Sequence, residues 1–322
     1  MRTLACLGGV SLERGVPATE IHEYIQESDN VVWVDVQDPG SAETAILEEE
    51  FGFHTLALEG ATQLGQGRPK LDEFKGYLVL LTYAALPGGP SRELWTAGVN
   101  LFIGRNYVVS IHRGPVPALD QAAARWTAGG PRLRDGVGFL LYTVLDALMD
   151  SYLPLIEEIE NEIGEIEIAM LGLGDDAVVR RLLRLKRTLV ELRRLLYPLR
   201  EILQVLLRRD QQPFLTHSEM YLREVESHVL QILDVLETER EMAAGALEAS
   251  LTVSSNRLNR TMKTLAVITV AVAVVASVFG AYGMNFAAVP LAGSPWGFWV
   301  ISLGTLASVL AAIGLGRARG WW

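Results

Sequence analysis

Between Thr264 and Gly316 the chain reads TLAVITVAVAVVASVFGAYGMNFAAVPLAGSPWGFWVISLGTLASVLAAIGLG, fifty-three residues without one Asp, Glu, Lys or Arg. A hydrocarbon core of about 30 Å takes about 20 apolar residues per helix, so this stretch holds two membrane spans and a short connection. The first run, Thr264 to Ala281, follows Arg257, Arg260 and Lys263, and the second, Trp296 to Gly316, precedes Arg317 and Arg319. Basic residues on both outer flanks put both termini on the cytoplasmic side of the inner (plasma) membrane and the loop 283–295 outside. Trp296, Trp299, Trp321 and Trp322 stand where interfacial aromatics belong. A soluble enzyme is excluded.

Upstream, Phe214 to Phe279 contains no proline and only one glycine, Gly245, so its 66 residues read as one helix of roughly 100 Å, polar at its start and membrane-embedded at its end. A helix this long is unstable alone in water and must pack on its neighbours or on copies of itself. Steps of three and four pick out one face: Glu248, Ser255, Asn259, Met262, Ala266, Thr269, Ala273, Ala276, Gly280 and Gly283. A lone two-helix hairpin encloses no aqueous path, so any pore lies on a symmetry axis of a homo-oligomer. The same small residues also suit ordinary close packing between membrane helices, and spacing alone does not choose.

The 263 residues before Thr264 hold all the charge except that of Arg317 and Arg319. Residues 1–135 read as a mixed α/β domain, with strands at Leu4 to Val10, Val31 to Val36, Tyr77 to Ala85 and Leu101 to His112, and a helix at Glu43 to Phe51. From Gly136 the period turns helical. Leu140, Leu141, Val144, Leu145, Leu148, Tyr152, Leu155, Ile156, Ile159, Ile163 and Ile166 form one stripe on an acidic helix, and a basic helix from about Asp175 to Arg209 returns after the Leu171-Gly172-Leu173-Gly174 turn. This 136–212 hairpin reads as charge-paired and structural, and Gln211-Gln212-Pro213 ends it before a stalk at 213–263. The net charge of −10 opposes nucleic-acid binding and favours a cation as partner. Cys6 has no partner for a disulfide. His22, His54, His112, His217 and His228 show no paired metal-ligand spacing, and no phosphate-cradling glycine loop is present.

At Tyr282-Gly283-Met284-Asn285-Phe286, directly after the first span, the sequence resembles the CorA family of divalent-cation channels. Further residues carry the likeness along nearly the whole chain: Trp33-Val34-Asp35, Phe53-His54, Leu58-Glu59, Arg68-Pro69-Lys70, Leu140-Leu141-Tyr142, Leu145-Asp146-Ala147, Asn256-Arg257, Asn259, Met262-Lys263 and Leu265. The resemblance implies an α+β cytoplasmic domain, a helical hairpin, and a stalk helix continuous into a two-helix membrane region (264–282 and 296–316, with a 317–322 tail), assembled as a pentameric funnel. It implies uptake of Mg²⁺, with Co²⁺ or Ni²⁺ as further cargo, down the membrane potential and gated by intracellular divalent cation. Gly283, Met284 and Asn285 are then the selectivity filter. Asn259, Met262, Leu265, Thr269 and Glu248 line the pore and gate, and Glu59, Asp146 and Glu224 are candidate regulatory metal ligands.

Two departures stand out. Ala287-Ala288-Val289-Pro290-Leu291-Ala292 carries no carboxylate where magnesium-transporting members commonly have an acidic loop, which leaves a proton-coupled Zn²⁺ transporter of the ZntB branch as an alternative. The sensor's acidic dipeptide is here Glu59-Gly60, one acid short. A membrane scaffold or sensor that conducts nothing is the reading from outside the transporter class.

Overall fold

The structure is a computed structural model that describes residues 1–62, 67–86, 95–170, 176–208, 218–284, 290–291 and 293–320. Asn285 to Val289, Ala292, the turn at 171–174, Gln211 to Pro213, His217 and the last two tryptophans lie outside the described residues. The chain divides into two compact units, Met1–Ala246 and Leu247–Trp322.

The first unit is built on a seven-stranded sheet of order β2-β1-β3-β7-β6-β5-β4. Its strands are β1 (Arg2–Leu7), β2 (Ser11–Arg14), β3 (Val31–Gln37), β4 (Lys70–Phe74), β5 (Tyr77–Leu86), β6 (Trp95–Ile103) and β7 (Tyr107–His112). All neighbours are antiparallel except β3 and β7, which pair in parallel from Val32 opposite Tyr107 to Gln37 opposite His112. Both faces of the sheet are covered, which explains why β3 and β7 read as almost unbroken apolar runs. Val32, Val34 and Val36 of β3 enter a core with Phe53, Leu58, Phe102 and Val109. This core includes residues of α1 (Ile21–Gln26), α2 (Ser41–Phe51) and α3 (Thr55–Thr62).

The alternate residues of β3 face the other way. Trp33 is 1% exposed and meets Trp126 of α4 (Pro117–Thr127) edge-on, with ring centroids 6.3 Å apart. Its indole N–H donates to Ser110 Oγ at 3.0 Å. Beyond it Asp35 accepts from Ser110 Oγ at 2.5 Å and from Arg2 Nη2 at 2.9 Å, and pairs with His112 Nε2 at 3.2 Å. Burial alone raises the Asp35 pKa, but hydrogen bonds from His112 and Ser110, with the charges of His112 and Arg2, outweigh it and hold the carboxyl below its ordinary value. The Trp33-Val34-Asp35 run is thus anchored by packing on one side and by charge on the other.

Two elements differ from the periodicity reading. The expected strand from Leu101 to His112 is the end of β6 and the whole of β7, joined by a tight turn in which Gly104 N donates to Tyr107 O at 2.9 Å. A Cβ at Gly104 would stand 2.2 Å from the Tyr107 ring, so only glycine fits there. The single stripe from Leu140 to Ile166 is two helices, α5 (Gly136–Asp150) and α6 (Leu153–Met170). Pro154 has no N–H to continue the helix and so sits in the first turn of α6. The break is tied to β5, because Ser151 Oγ accepts from Ala85 N at 2.9 Å and Tyr152 OH donates to Tyr83 O at 2.9 Å.

Helix α7 (Asp176–Leu206) returns against α6, with Arg181 paired to Glu162 at 3.3 Å and Glu165 at 2.8 Å, as opposite charges on the two helices lead one to expect. Then comes α8 (Glu219–Tyr282), an uninterrupted helix of 64 residues, and α9 (Gly297–Ala318).

Three helical segments are long and apolar enough to cross a membrane: Gly130–Met170, one within α8, and α9. Their burial separates them. The apolar window of the first is 67% buried inside the folded chain, whereas those of α8 and α9 are 0% and 6% buried. The first is therefore core of the sheet-bearing unit, and the apolar surface of the other two is left almost wholly uncovered by the described residues.

Candidate functional site

The second unit begins at Leu247 and consists of the end of α8 with α9. Within it Glu248, Asn259, Met262, Leu265 and Thr269 are all exposed in the single chain. Thr269 Oγ donates to Leu265 O at 2.9 Å, so its hydroxyl hydrogen is satisfied inside the helix while its lone pairs remain open. Thr261 and Thr264 make the same bond to Arg257 and Arg260. α8 closes with Gly283 N donating to Phe279 O at 3.0 Å and Gly280 O at 3.1 Å, and Tyr282 OH donates to Pro290 O at 3.2 Å. Gly283 and Met284 therefore stand at the C-terminal end of the first apolar run; Met284 is exposed and Asn285 lies beyond the described residues. The carbonyls freed at a helix end carry partial negative charge, a polarity suited to a cation.

The candidate regulatory residues fall in the first unit. Asp146 of α5 is buried beside Asp150, His228 and Arg125, the last three brought from α5, α8 and α4. Arg125 Nη1 lies 3.1 Å from Asp146 Oδ2 and its Nη2 lies 2.6 Å from Asp150, while His228 Nδ1 lies 2.9 Å from Asp146 Oδ1. Burial and the Asp150 charge push the Asp146 pKa up, against the pull of His228 and Arg125. One possible ligand atom from each of Asp146, Asp150 and His228 lies within 4.8 Å of the others, a two-carboxylate, one-imidazole set. A cavity of about 400 Å³ opens beside it, lined by Arg125, Arg132, Tyr142 and Asp146.

Glu224 is exposed on α8, and its charge and that of Asp146 both act on Tyr142, whose pKa is raised first by burial and then by these two acids. Glu59 is exposed on α3 and is not part of this set; a Cβ on its neighbour Gly60 would meet no atom within 4 Å. His228 and Asp150 were not marked out by spacing, because His228 lies 78 and 82 residues from the two acids. The signal available was weak: a lone histidine on the stalk helix, and two acids one turn apart on an otherwise apolar helix.

A sequence profile described as "CorA-like Mg2+ transporter protein" matches residues 28–315, and the chain belongs to this family. The cobalt/magnesium transport protein CorA of Thermotoga maritima is 32% identical over 282 residues, covering 86% of this chain and 79% of that one. The protein of the same description from Methanocaldococcus jannaschii is 27% identical over 318 residues, 97% of this chain and 98% of its own. The complete structure of the M. jannaschii CorA magnesium transporter matches with a TM-score of 0.83 at 26% identity, covering 100% of this chain and 99% of that chain. The cytoplasmic domain of ZntB from Vibrio parahaemolyticus shares the fold, with a TM-score of 0.63 at 12% identity over 80% of this chain and 98% of its own.

Proposed function

We propose that the chain is one subunit of a homopentameric channel that carries Mg²⁺, and also Co²⁺ or Ni²⁺, into the cell down the membrane potential. Supporting this reading above all is the run that ends α8, an uncharged helix closing on Gly283-Met284 and followed by Asn285, in a chain that matches a CorA transporter from end to end. Mg²⁺ parts with its water reluctantly, so a ring of Asn285 amide oxygens holds the hydrated ion through its shell. With no carboxylate from Ala287 to Ala292, binding stays weak enough for release. Met262 and Leu265 form a ring that dewets and closes, while Asn259 and Glu248 provide polar groups on its cytoplasmic side. Both termini are cytoplasmic. Glu59, Asp146 and Glu224 take part in feedback by intracellular divalent cation, which lowers conductance when bound.

The acid-free loop keeps a second reading in view, a Zn²⁺ transporter coupled to protons. Flux of Mg²⁺, Co²⁺ and Zn²⁺ into proteoliposomes, measured side by side with and without a proton gradient, decides between them. Mg²⁺ uptake that follows the membrane potential and ignores the proton gradient is the expected result. Zn²⁺ uptake that needs the gradient overturns it in favour of the second reading. No cation flux at all leaves a scaffold or sensor.

A further inference from the structure

The carboxylates of the Asp146 cluster already hold a cation, and it belongs to the chain. Asp146 and Asp150 stand one turn apart on the same face of α5, and α4 packs along that helix. Arg125, in the last turn of α4, reaches both: its Nη1 is 3.1 Å from Asp146 Oδ2 and its Nη2 is 2.6 Å from Asp150 Oδ2. One planar guanidinium thus bridges two carboxylates, which the single ammonium of a lysine does not reproduce. The other oxygen of Asp146 lies 2.9 Å from His228 Nδ1.

A divalent ion on Asp146, Asp150 and His228 needs the same oxygens. Possible ligand atoms of the three lie within 4.8 Å of one another, close enough to meet on one ion, and two carboxylates with an imidazole suit a transition ion such as Co²⁺. Guanidinium and metal do not share these oxygens, because their like charges would then stand side by side. Arg125 has room to leave. Its side chain is 45% exposed against 12% for that of Asp146, and the cavity of about 400 Å³ that both line opens beside the pair. The acid is fixed by burial while its cation reaches solvent.

We propose that Arg125 is a tethered competitor of the divalent cation at Asp146, Asp150 and His228. Its guanidinium occupies the carboxylates when metal is scarce, swings into the neighbouring cavity when metal binds, and so sets the concentration at which the site fills. This rests on the reading of Asp146 as a regulatory metal ligand and adds the group that tunes its affinity. A competitor on the same domain faces the carboxylates at a high effective concentration. Apparent affinity falls with the fraction of time the carboxylates are free, so about one-tenth free means about tenfold weaker metal binding. In return the acids are never left buried and uncompensated.

Amide hydrogen exchange on the full-length protein in detergent tests it, with CoCl₂ as the only added ligand and segments 140–152 and 222–232 as the local readout. Arg125→Gln is expected to exchange faster than wild type without metal, yet to reach half its Co²⁺-dependent protection at about tenfold lower Co²⁺. A role confined to holding α4 on α5 gives the faster exchange without the shift, and a midpoint that stays or rises overturns the proposal. Arg125→Lys keeps a cation on α4, and so the fold, but loses the bridge; its midpoint is expected to move in the same direction by a smaller factor. Arg132→Gln removes a charge from the wall of the same cavity but no ion pair with either acid. Screened by solvent, that charge is expected to move the midpoint by less than about twofold, and a shift as large as that of Arg125→Gln overturns the proposal, since net charge rather than occupancy then governs binding. Asp146→Asn separates the two claims. Wild-type Co²⁺ protection in it removes the regulatory reading of Asp146 and the proposal together, whereas lost protection beside an unshifted Arg125→Gln removes Arg125 alone.

Discussion

The same residue types do opposite things in the two units. In Met1–Ala246, Leu140, Leu141, Val144, Leu145 and Leu148 are wholly buried against the sheet and its helices. In Leu247–Trp322, Leu258, Met262, Leu265, Ile268, Val270 and Val272 of α8 are more than half exposed, and so are Phe298, Trp299, Val300 and Leu303 of α9. The first unit hides its apolar surface within itself, as a domain in water must. An exposed apolar surface of the second kind marks a segment that lies in lipid or against a partner. The difference teaches that hydropathy alone does not find a span. Gly130–Met170 passes by length and composition, and only its burial places it in a core.

Substitutions that affect one unit and spare the other sharpen this contrast. The largest effect is expected at the pore end: Asn285→Ala abolishes selective Mg²⁺ flux into proteoliposomes while subunit assembly, read by size-exclusion chromatography, is unchanged. Wild-type flux in the assembled variant removes Asn285 from the filter. In the first unit Trp126→Ala deletes a fully buried ring and its contact with Trp33, and is expected to cost about 3–5 kcal/mol of stability in denaturant unfolding. Next, Leu265→Asn places an amide in the apolar ring and raises the basal leak severalfold without shifting the unfolding of the first unit. An unchanged leak moves the gate elsewhere along α8.

Smaller and opposite in sensitivity is a pH effect. The Asp35 carboxyl is held below its ordinary 3.8 in the folded state, so its stabilisation is complete above that value and is lost as pH falls through the lowered one. Asp35→Asn is therefore less stable than wild type at neutral pH, and the gap narrows below pH 3.8. A gap that stays constant down to strongly acidic pH breaks the assignment. The smallest effect is expected from Gly60→Asp, which has room for its side chain and restores a second acid beside Glu59. Half-inhibition of flux should move to lower internal Mg²⁺, because ligand charge strengthens a hard-cation site. Equal inhibition in both proteins withdraws Glu59 and Glu224 from regulation.

The charge-free run from Thr264 to Gly316, its basic flanks and the proline-free stretch before it determined by themselves that α8 and α9 are long apolar helices, because a bilayer imposes a length and an absence of charge that Gly130–Met170, with its Asp and Glu residues, does not match. Gly283-Met284-Asn285 and the motifs upstream were likewise legible, being contiguous. Strands β3 and β5 could be read from their apolar, β-branched content, whereas the order of the seven strands could not, since a parallel β3–β7 pair joins residues 75 apart. Tertiary structure alone decided what meets what. It brought His228 of α8 to Asp146 and Asp150 of α5. Such clusters join distant segments, and a periodicity that assigns a face to each helix says nothing of which other face lies against it.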